Sequence, residues 1–149
     1  MENRKITYVT YITTTPEKLW EAITSAEALK KNWGRIESQW TAGSRVTEVD
    51  DSGTVLWQGE VFQSERHRLL SYSMAASGTP TTQVKFELSQ PETEVARNLP
   101  VVCLTVTQEG FRTEDNDLYA ACSRAWPEIV CSFKTYLETG RPIGFAWKH

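Results

Sequence analysis

The hydrophobic pattern of this chain changes its period once, at about residue 117. Before that point, apolar residues alternate with other residues, as Val102, Leu104 and Val106 do, which is the pattern of a strand with one buried face. After it, apolar residues recur every three or four positions from Leu118 to Leu137, which is the pattern of a long amphipathic helix. The strands therefore precede the long helix instead of alternating with helices along the chain. This arrangement predicts an α+β fold, in which an antiparallel sheet packs on helices.

The segments predicted to be strands combine β-branched or aromatic residues with turn signals at their ends. They are Ile6–Ile12, Arg45–Val49, Thr54–Phe62, Leu69–Met74, Gln83–Leu88 and Val101–Gln108. The sequence therefore predicts an antiparallel sheet of about six strands.

Two short helices are predicted to follow the first strand. Thr15, Pro16 and Glu17 form a typical helix start: a capping hydroxyl, a proline at the first helical position and an acid in the first turn. Ser25 is placed to cap the second helix, and the Trp33-Gly34 pair ends it.

The long C-terminal helix contains a proline. Pro127 predicts either a kink in that helix or a main helix that begins at Pro127 and runs to about Glu138. Gly140 is well placed to end it. We expect this helix to lie across the concave face of the sheet, because both apolar faces need burial.

Composition limits the class of protein. A chain of 149 residues fits one domain over residues 1–149, and a net charge of −3 argues against nucleic acid as a partner. No apolar run reaches the length of a membrane span, and the N-terminus does not resemble a signal peptide. The three cysteines form no CxxC pair and are interpreted as buried thiols in a reducing cytoplasm. We expect no metal and no cofactor.

Aromatic residues are unusually informative in this chain. Of its six tryptophans, five fall where an amphipathic pattern points them inward, and Trp147 is the exception. Tryptophan is a large ring with one N–H, suited to a wall that is mostly apolar but not wholly dry.

Several strings of residues resemble a known family. They include the opening helix at residues 15–24, Asn32-Trp33-Gly34, Gly59-Glu60-Val61 and the closing stretch from Trp126-Pro127-Glu128 to Gly140. In this order they resemble the SRPBCC superfamily, which is START-like or birch-pollen-allergen-like. They resemble most closely the branch named after the activator of the heat-shock-protein-90 ATPase.

The resemblance extends from about residue 5 to about residue 141. It implies a helix-grip fold, in which a curved antiparallel sheet wraps a long C-terminal helix and leaves a cavity between them. Members of the superfamily bind lipids, hormones or polyketides, and some catalyse cyclisations, so the resemblance implies no particular reaction.

The sequence departs from the family pattern in three places. Ala125 stands where the family often has glycine before the helix tryptophan, and the charged turn at residues 65–68 replaces a frequent Pro-Pro. Gln108 stands where many relatives have histidine, which replaces an ionisable group by a neutral amide.

A candidate ligand cavity follows from these patterns, although the same residues would also serve as an ordinary core. Among the polar candidates, Tyr72 and Gln108 either orient a bound molecule or form a satisfied buried hydrogen bond. The candidate cavity residues are Trp33, Trp57, Tyr72, Met74, Phe86, Gln108, Phe111, Trp126, Val130 and Phe133.

Catalytic residues are not expected. His67 lies in a charged turn and His149 is the last residue, and neither has a partner at a recognisable motif spacing. Glu60 and Glu87 alternate with inward positions and are expected to face solvent. An isolated buried acid would still be able to act as a base.

The sequence favours a cytoplasmic carrier or sensor that binds a small hydrophobic molecule, lipid-like or aromatic, as a monomer or homodimer. The alternative is a protein-interaction module of co-chaperone type with a chaperone or other protein as partner. A cyclase or hydrolase-like enzyme that uses the same cavity is the third interpretation.

Overall fold

The computed structural model describes residues 4–91 and 99–143 of the chain. Trp147 and His149, which were considered above, lie outside the described residues. The helices and strands, in chain order, are β1 (Arg4–Ile12), α1 (Pro16–Thr24), α2 (Ala26–Asn32), β2 (Arg35–Ser38), β3 (Arg45–Val49), β4 (Val55–Glu65), β5 (Leu69–Met74), β6 (Thr82–Ser89), β7 (Val102–Phe111) and α3 (Asn116–Thr139).

The strands of the described residues form one curved antiparallel sheet of seven strands in the order β1-β7-β6-β5-β4-β3-β2. The predicted fold class, an α+β helix-grip fold with two short helices after the first strand, is confirmed. The sheet has one strand more than the six segments predicted. That strand, β2, has only four residues and buries only Ile36 fully, so its alternating pattern is too short to recognise.

The strand register gathers the inward residues into rows. Leu70 pairs with Phe86, and Phe86 pairs with Val106. One step along the strands, Tyr72 pairs with Val84, and Val84 pairs with Gln108. Alternation therefore places Tyr72, Phe86 and Gln108 on one face of the sheet, as the pattern predicted.

The two short helices begin as the sequence predicts. Thr15 caps α1 by accepting a hydrogen bond from the Lys18 amide at 3.3 Å. Ser25 ends α1 and caps α2, since its hydroxyl accepts from the Ala28 amide at 3.3 Å. Trp33 follows as the C-terminal cap of α2.

Helix α3 runs without interruption from Asn116 to Thr139 and contains Pro127 in its interior. The expectation of a main helix beginning at Pro127 is therefore wrong, because the apolar stripe on both sides of the proline holds one continuous helix on the core. Gly140 ends α3 as predicted, with a left-handed φ of 83° and its N–H bonded to the Tyr136 carbonyl at 2.8 Å.

The end of α3 is also tied to the end of β1. The backbone N–H of Thr13 donates to Oε2 of Glu138 at 2.8 Å. Lys134 donates from Nζ to the Tyr11 carbonyl at 2.6 Å and to the same Glu138 oxygen at 2.8 Å. These bonds fix the helix against the edge strand.

Two further expectations are settled by burial. Glu60 and Glu87 face solvent, as predicted. The expectation that all three cysteines are buried is wrong for Cys131, which is exposed, while Cys103 and Cys122 are half-buried. Cys131 lies next to the buried pair Val130 and Ser132 but on the outer side of α3.

No helix within residues 4–91 and 99–143 is long and apolar enough to cross a membrane.

Candidate ligand site

Five aromatic rings form a closed cycle in the interior, in which each ring contacts the next. Trp33 stacks on Trp57, Trp57 on Tyr72 and Tyr72 on Phe86, with ring centroids 6.0, 5.9 and 6.1 Å apart. Trp126 closes the cycle with edge contacts to Phe86 at 5.8 Å and to Trp33 at 5.3 Å. We call these five residues the aromatic cycle. It joins α2, the sheet and α3 in one continuous apolar wall.

All ten candidate cavity residues lie in or against the hydrophobic core. Phe111 makes its ring contact with Tyr119 at 5.3 Å and is not part of the aromatic cycle. Met74, Val130 and Phe133 belong to the same core outside the cycle. Whether these residues border one enclosed pocket stays a prediction.

The side-chain amide of Gln108 forms hydrogen bonds with two other side chains of the protein. Its Oε1 accepts a hydrogen bond from the Trp126 indole N–H at 2.7 Å, and its Nε2 donates to the Thr82 hydroxyl at 2.9 Å. Gln108, Thr82 and Trp126 are each 3% exposed. The interpretation of Gln108 as a satisfied buried hydrogen-bonding group therefore fits the geometry, and Gln108 connects β6, β7 and α3.

Glu48 is a buried acid that the sequence analysis missed. It lies on β3, is only 3% exposed, and its Oε1 accepts a hydrogen bond from the Trp57 indole N–H at 2.6 Å. Because side chains alternate between the two faces of a strand, its position two residues after the buried Val46 indicates that Glu48 also points inward. A carboxylate is seldom buried without compensation, so Glu48 is the most unusual group beside the aromatic cycle.

Gly34 packs directly on the Glu48 carboxylate. A Cβ built on Gly34 would overlap Oε2 of Glu48, so only glycine leaves room for the carboxylate in its present position. Trp33 and Gly34 both donate backbone N–H groups to the Leu29 carbonyl, at 2.7 and 2.8 Å, which fixes the end of α2 over Glu48.

Two interior groups have raised pKa values. Burial raises the pKa of Tyr72 well above its ordinary value, and the negative charge of Glu48 raises it further. Burial also raises the pKa of the Cys122 thiol, although a hydrogen bond with Gln108 lowers it in part. Both groups therefore stay protonated and uncharged at neutral pH.

A surface cleft of about 530 Å³ reaches Glu48 from outside. We call it the Glu48 cleft. Its lining residues are Lys30, Trp33, Gly34, Arg35, Glu48, Val49, Asp50, Asp51 and Ser52. Trp33 and Glu48 therefore belong both to the wall of this cleft and to the aromatic interior.

A second cleft of about 360 Å³ lies between α1 and the segment before β3, and Trp20 and Trp40 are among its lining residues. Trp40 has a left-handed φ of 55°, and its carbonyl accepts a hydrogen bond from the Ser64 hydroxyl at 2.7 Å. Its ring meets Tyr72 edge-on at 5.9 Å. Trp40 thus connects the second cleft to the aromatic cycle.

A second polar pair missed from sequence joins α2 to α3. Ser132 donates from its hydroxyl to Oδ1 of Asn32 at 2.7 Å, and Asn32 donates to the Ala28 carbonyl at 2.9 Å. The two side chains are almost wholly buried. Because they are 100 positions apart in the chain, no local pattern indicates the pair.

Within the described ranges, no group of three histidine, cysteine, aspartate or glutamate side chains could hold a metal ion. His67 has a left-handed φ of 70° and meets the edge of Trp20 at 6.4 Å. It is half-buried in its turn rather than fully solvated.

The fold and the ring-lined interior define a helix-grip protein. Residues 13–138 match the family described as activator of Hsp90 ATPase homolog 1-like protein, and the chain belongs to this family. No match was found among curated proteins.

Solved structures of the same fold come from several bacteria. Protein MLL2253 from Mesorhizobium loti is 24% identical with a TM-score of 0.79, over 91% of this chain and 97% of its own. The Aha1 dimer from Colwellia psychrerythraea is 25% identical with a TM-score of 0.73, over 94% and 98%. CalU16 from Micromonospora echinospora is 15% identical with a TM-score of 0.76, over 95% and 78%. These similarities establish the fold.

Proposed function

We propose that this protein binds a small, flat, hydrophobic molecule between the sheet and α3, as a carrier or sensor. The observation that supports the proposal is the aromatic cycle, whose rings contact one another through faces and edges and connect α2, the sheet and α3. Ligand sites are typically apolar walls with a few well-placed polar groups.

Polar groups occur at two points of the aromatic cycle. The Trp57 N–H is bonded to Glu48, and the Trp126 N–H is bonded to Gln108. Both bonds hold an indole in one orientation, so the rings offer pre-organised surfaces that lose little conformational entropy when a ligand binds.

Trp33 is the residue of the aromatic cycle that a ligand from the surface would reach first. It is half-buried, whereas the other four rings are at most 7% exposed. It follows the last residue of α2 and lines the Glu48 cleft. We propose that a ligand enters from this cleft by displacing the Trp33 ring.

The proposal is tested with N-phenyl-1-naphthylamine, a neutral fluorescent probe. The folded protein should bind one equivalent saturably, and naphthalene should displace it. Phe86→Leu, inside the aromatic cycle, should weaken binding about threefold to tenfold, the equivalent of a lost aromatic contact. Phe62→Leu is the matched control, because Phe62 is 44% exposed.

Two results would contradict the proposal: no saturable binding by the folded wild type, or equal losses in Phe86→Leu and Phe62→Leu. Native mass spectrometry of freshly purified protein, followed by extraction, would identify a co-purified molecule directly.

A second candidate function is protein interaction of co-chaperone type. The outer face of β1 carries two large exposed side chains, Val9 (51% exposed) and Tyr11 (49%). They lie opposite Thr105 and Cys103 of β7. Addition of the protein to purified Hsp90 would test this function. An increase in ATPase rate that is lost in a Val9→Lys, Tyr11→Lys variant would support it, and an unchanged rate would reject it.

A further inference from the structure

The second cleft combines aromatic rings with polar groups that the proposed function does not use. Its lining residues are Trp20, Thr24, Gln39, Trp40, Thr41, Ser64 and Arg66. None of them belongs to the aromatic cycle. They supply two indole rings, one guanidinium group and no carboxylate.

The charge of the second cleft distinguishes it from three other clefts on the surface. The Glu48 cleft has three acidic and two basic lining residues, and two further clefts also combine acids with bases. In the second cleft, Arg66 is the one charged residue among the lining residues, all of which the structure describes. In a protein with a net charge of −3, this cleft therefore attracts an anion rather than a cation.

Arg66 lies in the charged turn between β4 and β5, where the sequence departs from the family pattern. The other groups of this turn have partners within the protein. Arg68 forms an ion pair with Glu65, and the His67 ring meets the edge of Trp20 at 6.4 Å. Among residues 4–91 and 99–143, Arg66 has no ion-pair partner, so its guanidinium is available to a ligand.

Backbone strain is concentrated beside the same cleft. Trp40 and His67 have left-handed φ values of 55° and 70°, and they are the two non-glycine residues with positive φ in the described part of the chain. Such strain persists only where the surrounding structure enforces it, and it is frequent at ligand sites. The backbone of Trp40 donates to the Ser38 hydroxyl at 3.0 Å and accepts from the Ser64 hydroxyl at 2.7 Å. These two bonds hold the half-buried indole at the cleft.

We propose that the second cleft binds a small aromatic carboxylate, with the carboxylate group on Arg66 and the ring against the indoles of Trp20 and Trp40. A planar guanidinium binds a carboxylate through two parallel hydrogen bonds, and an indole offers a flat apolar face to a ring. The cleft volume of about 360 Å³ is in the range of small-molecule sites. This site is separate from the interior site of the proposed function and does not depend on it.

The test compares two ligands of nearly the same shape by NMR titration. These are 2-naphthoate, which like protein carboxyl groups is an anion at about pH 7, and 2-naphthamide, which is neutral. The wild type should bind naphthoate about fivefold more tightly, as expected for an ion pair at a partly exposed site. In Arg66→Gln this preference should vanish, while naphthamide binds within about twofold of its wild-type affinity. Because Arg66 is exposed, this variant should fold like the wild type.

The position of the ligand is read from the indole N–H resonances, assigned with Trp40→Phe and Trp126→Phe. The Trp40 resonance should move when naphthoate binds. The Trp126 resonance should stay in place, because its N–H is bonded to Gln108 in the interior. Arg45→Gln is the matched control: it removes an exposed arginine that lines a different cleft, and it should leave the preference for naphthoate unchanged.

Four results would overturn the inference. They are no binding of either ligand, equal affinities in the wild type, a preference that persists in Arg66→Gln, and a preference that is lost equally in Arg45→Gln. Movement of the Trp126 resonance without the Trp40 resonance would place naphthoate in the interior, which would overturn this site and support the proposed function. The neutral probe N-phenyl-1-naphthylamine tests the interior site separately, so the failure of one proposal is distinguishable from the failure of the other.

Discussion

The indole N–H of Trp126 and the Oε1 of Gln108 lie 2.7 Å apart and form a buried hydrogen bond between the middle of α3 and β7. Gln108 also donates to Thr82 on the neighbouring strand. A single amide thus connects the helix with two strands and sets the separation of the layers at the point where the aromatic cycle closes.

Trp126→Ala should destabilise the protein by about 3–5 kcal/mol, as large aromatic truncations in cores do. Trp126 is 3% exposed and contacts Phe86 and Trp33. Urea denaturation measures the change. A loss of less than about 1 kcal/mol would show that Trp126 borders space that is already empty.

Gln108→Leu should cost about 1–3 kcal/mol, because it leaves the Trp126 N–H without its acceptor and the Thr82 hydroxyl without its donor. The double variant with Trp126→Phe should cost less than the sum of the two single changes. The same denaturation series gives the coupling energy. Strict additivity would mean that the bond contributes nothing measurable.

Gly34→Ala should move the Glu48 carboxylate away from the Trp57 indole, because the new methyl group would occupy the place of Oε2. The Trp57 indole N–H resonance should then shift towards the value of a free indole. Gly43→Ala is the control: it has a left-handed φ of 89° but no neighbour within 4 Å. It should strain the backbone and leave the Trp57 resonance in place.

The contribution of Glu138 to stability should depend on pH. Partial burial alone would raise the pKa of Glu138, but the hydrogen bonds from Lys134 and from the Thr13 backbone outweigh it and lower the pKa below 4.5. A carboxyl group with a lowered folded-state pKa stabilises the protein above its ordinary pKa. This contribution is lost as the pH falls through the folded-state value.

Glu138→Gln should therefore destabilise the protein by no more than about 1 kcal/mol near neutral pH, and by less at acidic pH. Chemical denaturation at about pH 7 and about pH 3 measures both differences. Glu60→Gln, which removes an exposed carboxyl group from β4, controls for the loss of a surface charge. An equal difference at both pH values would contradict the prediction.

The sequence predicts well where periodicity carries the signal. The strand residues Val102, Leu104 and Val106 and the helix stripe from Leu118 to Leu137 indicate which elements form and which faces they bury. Four positions of β2 are too few for such a pattern.

Polar interior groups were harder to predict, because a charge or an amide carries no periodic signal of its own. The burial of Glu48 is indicated only by its position two residues after Val46, on the same face of β3. The Asn32–Ser132 hydrogen bond depends on tertiary packing alone. The same applies to Pro127, since packing of α3 on the core overrides the local cost of a proline in a helix.

The position of β1 next to β7 has a consequence for folding. From β2 to β7, each strand pairs with its neighbour in the chain, but Arg4 and Ile12 of β1 pair with Phe111 and Val102, about a hundred residues later. At about 5–20 residues per second, β1 is synthesised several seconds before β7, its partner strand. β1 therefore cannot pair before β7 has been synthesised, and until then Ile6 and Ile12 lack the cover that buries them in the folded protein.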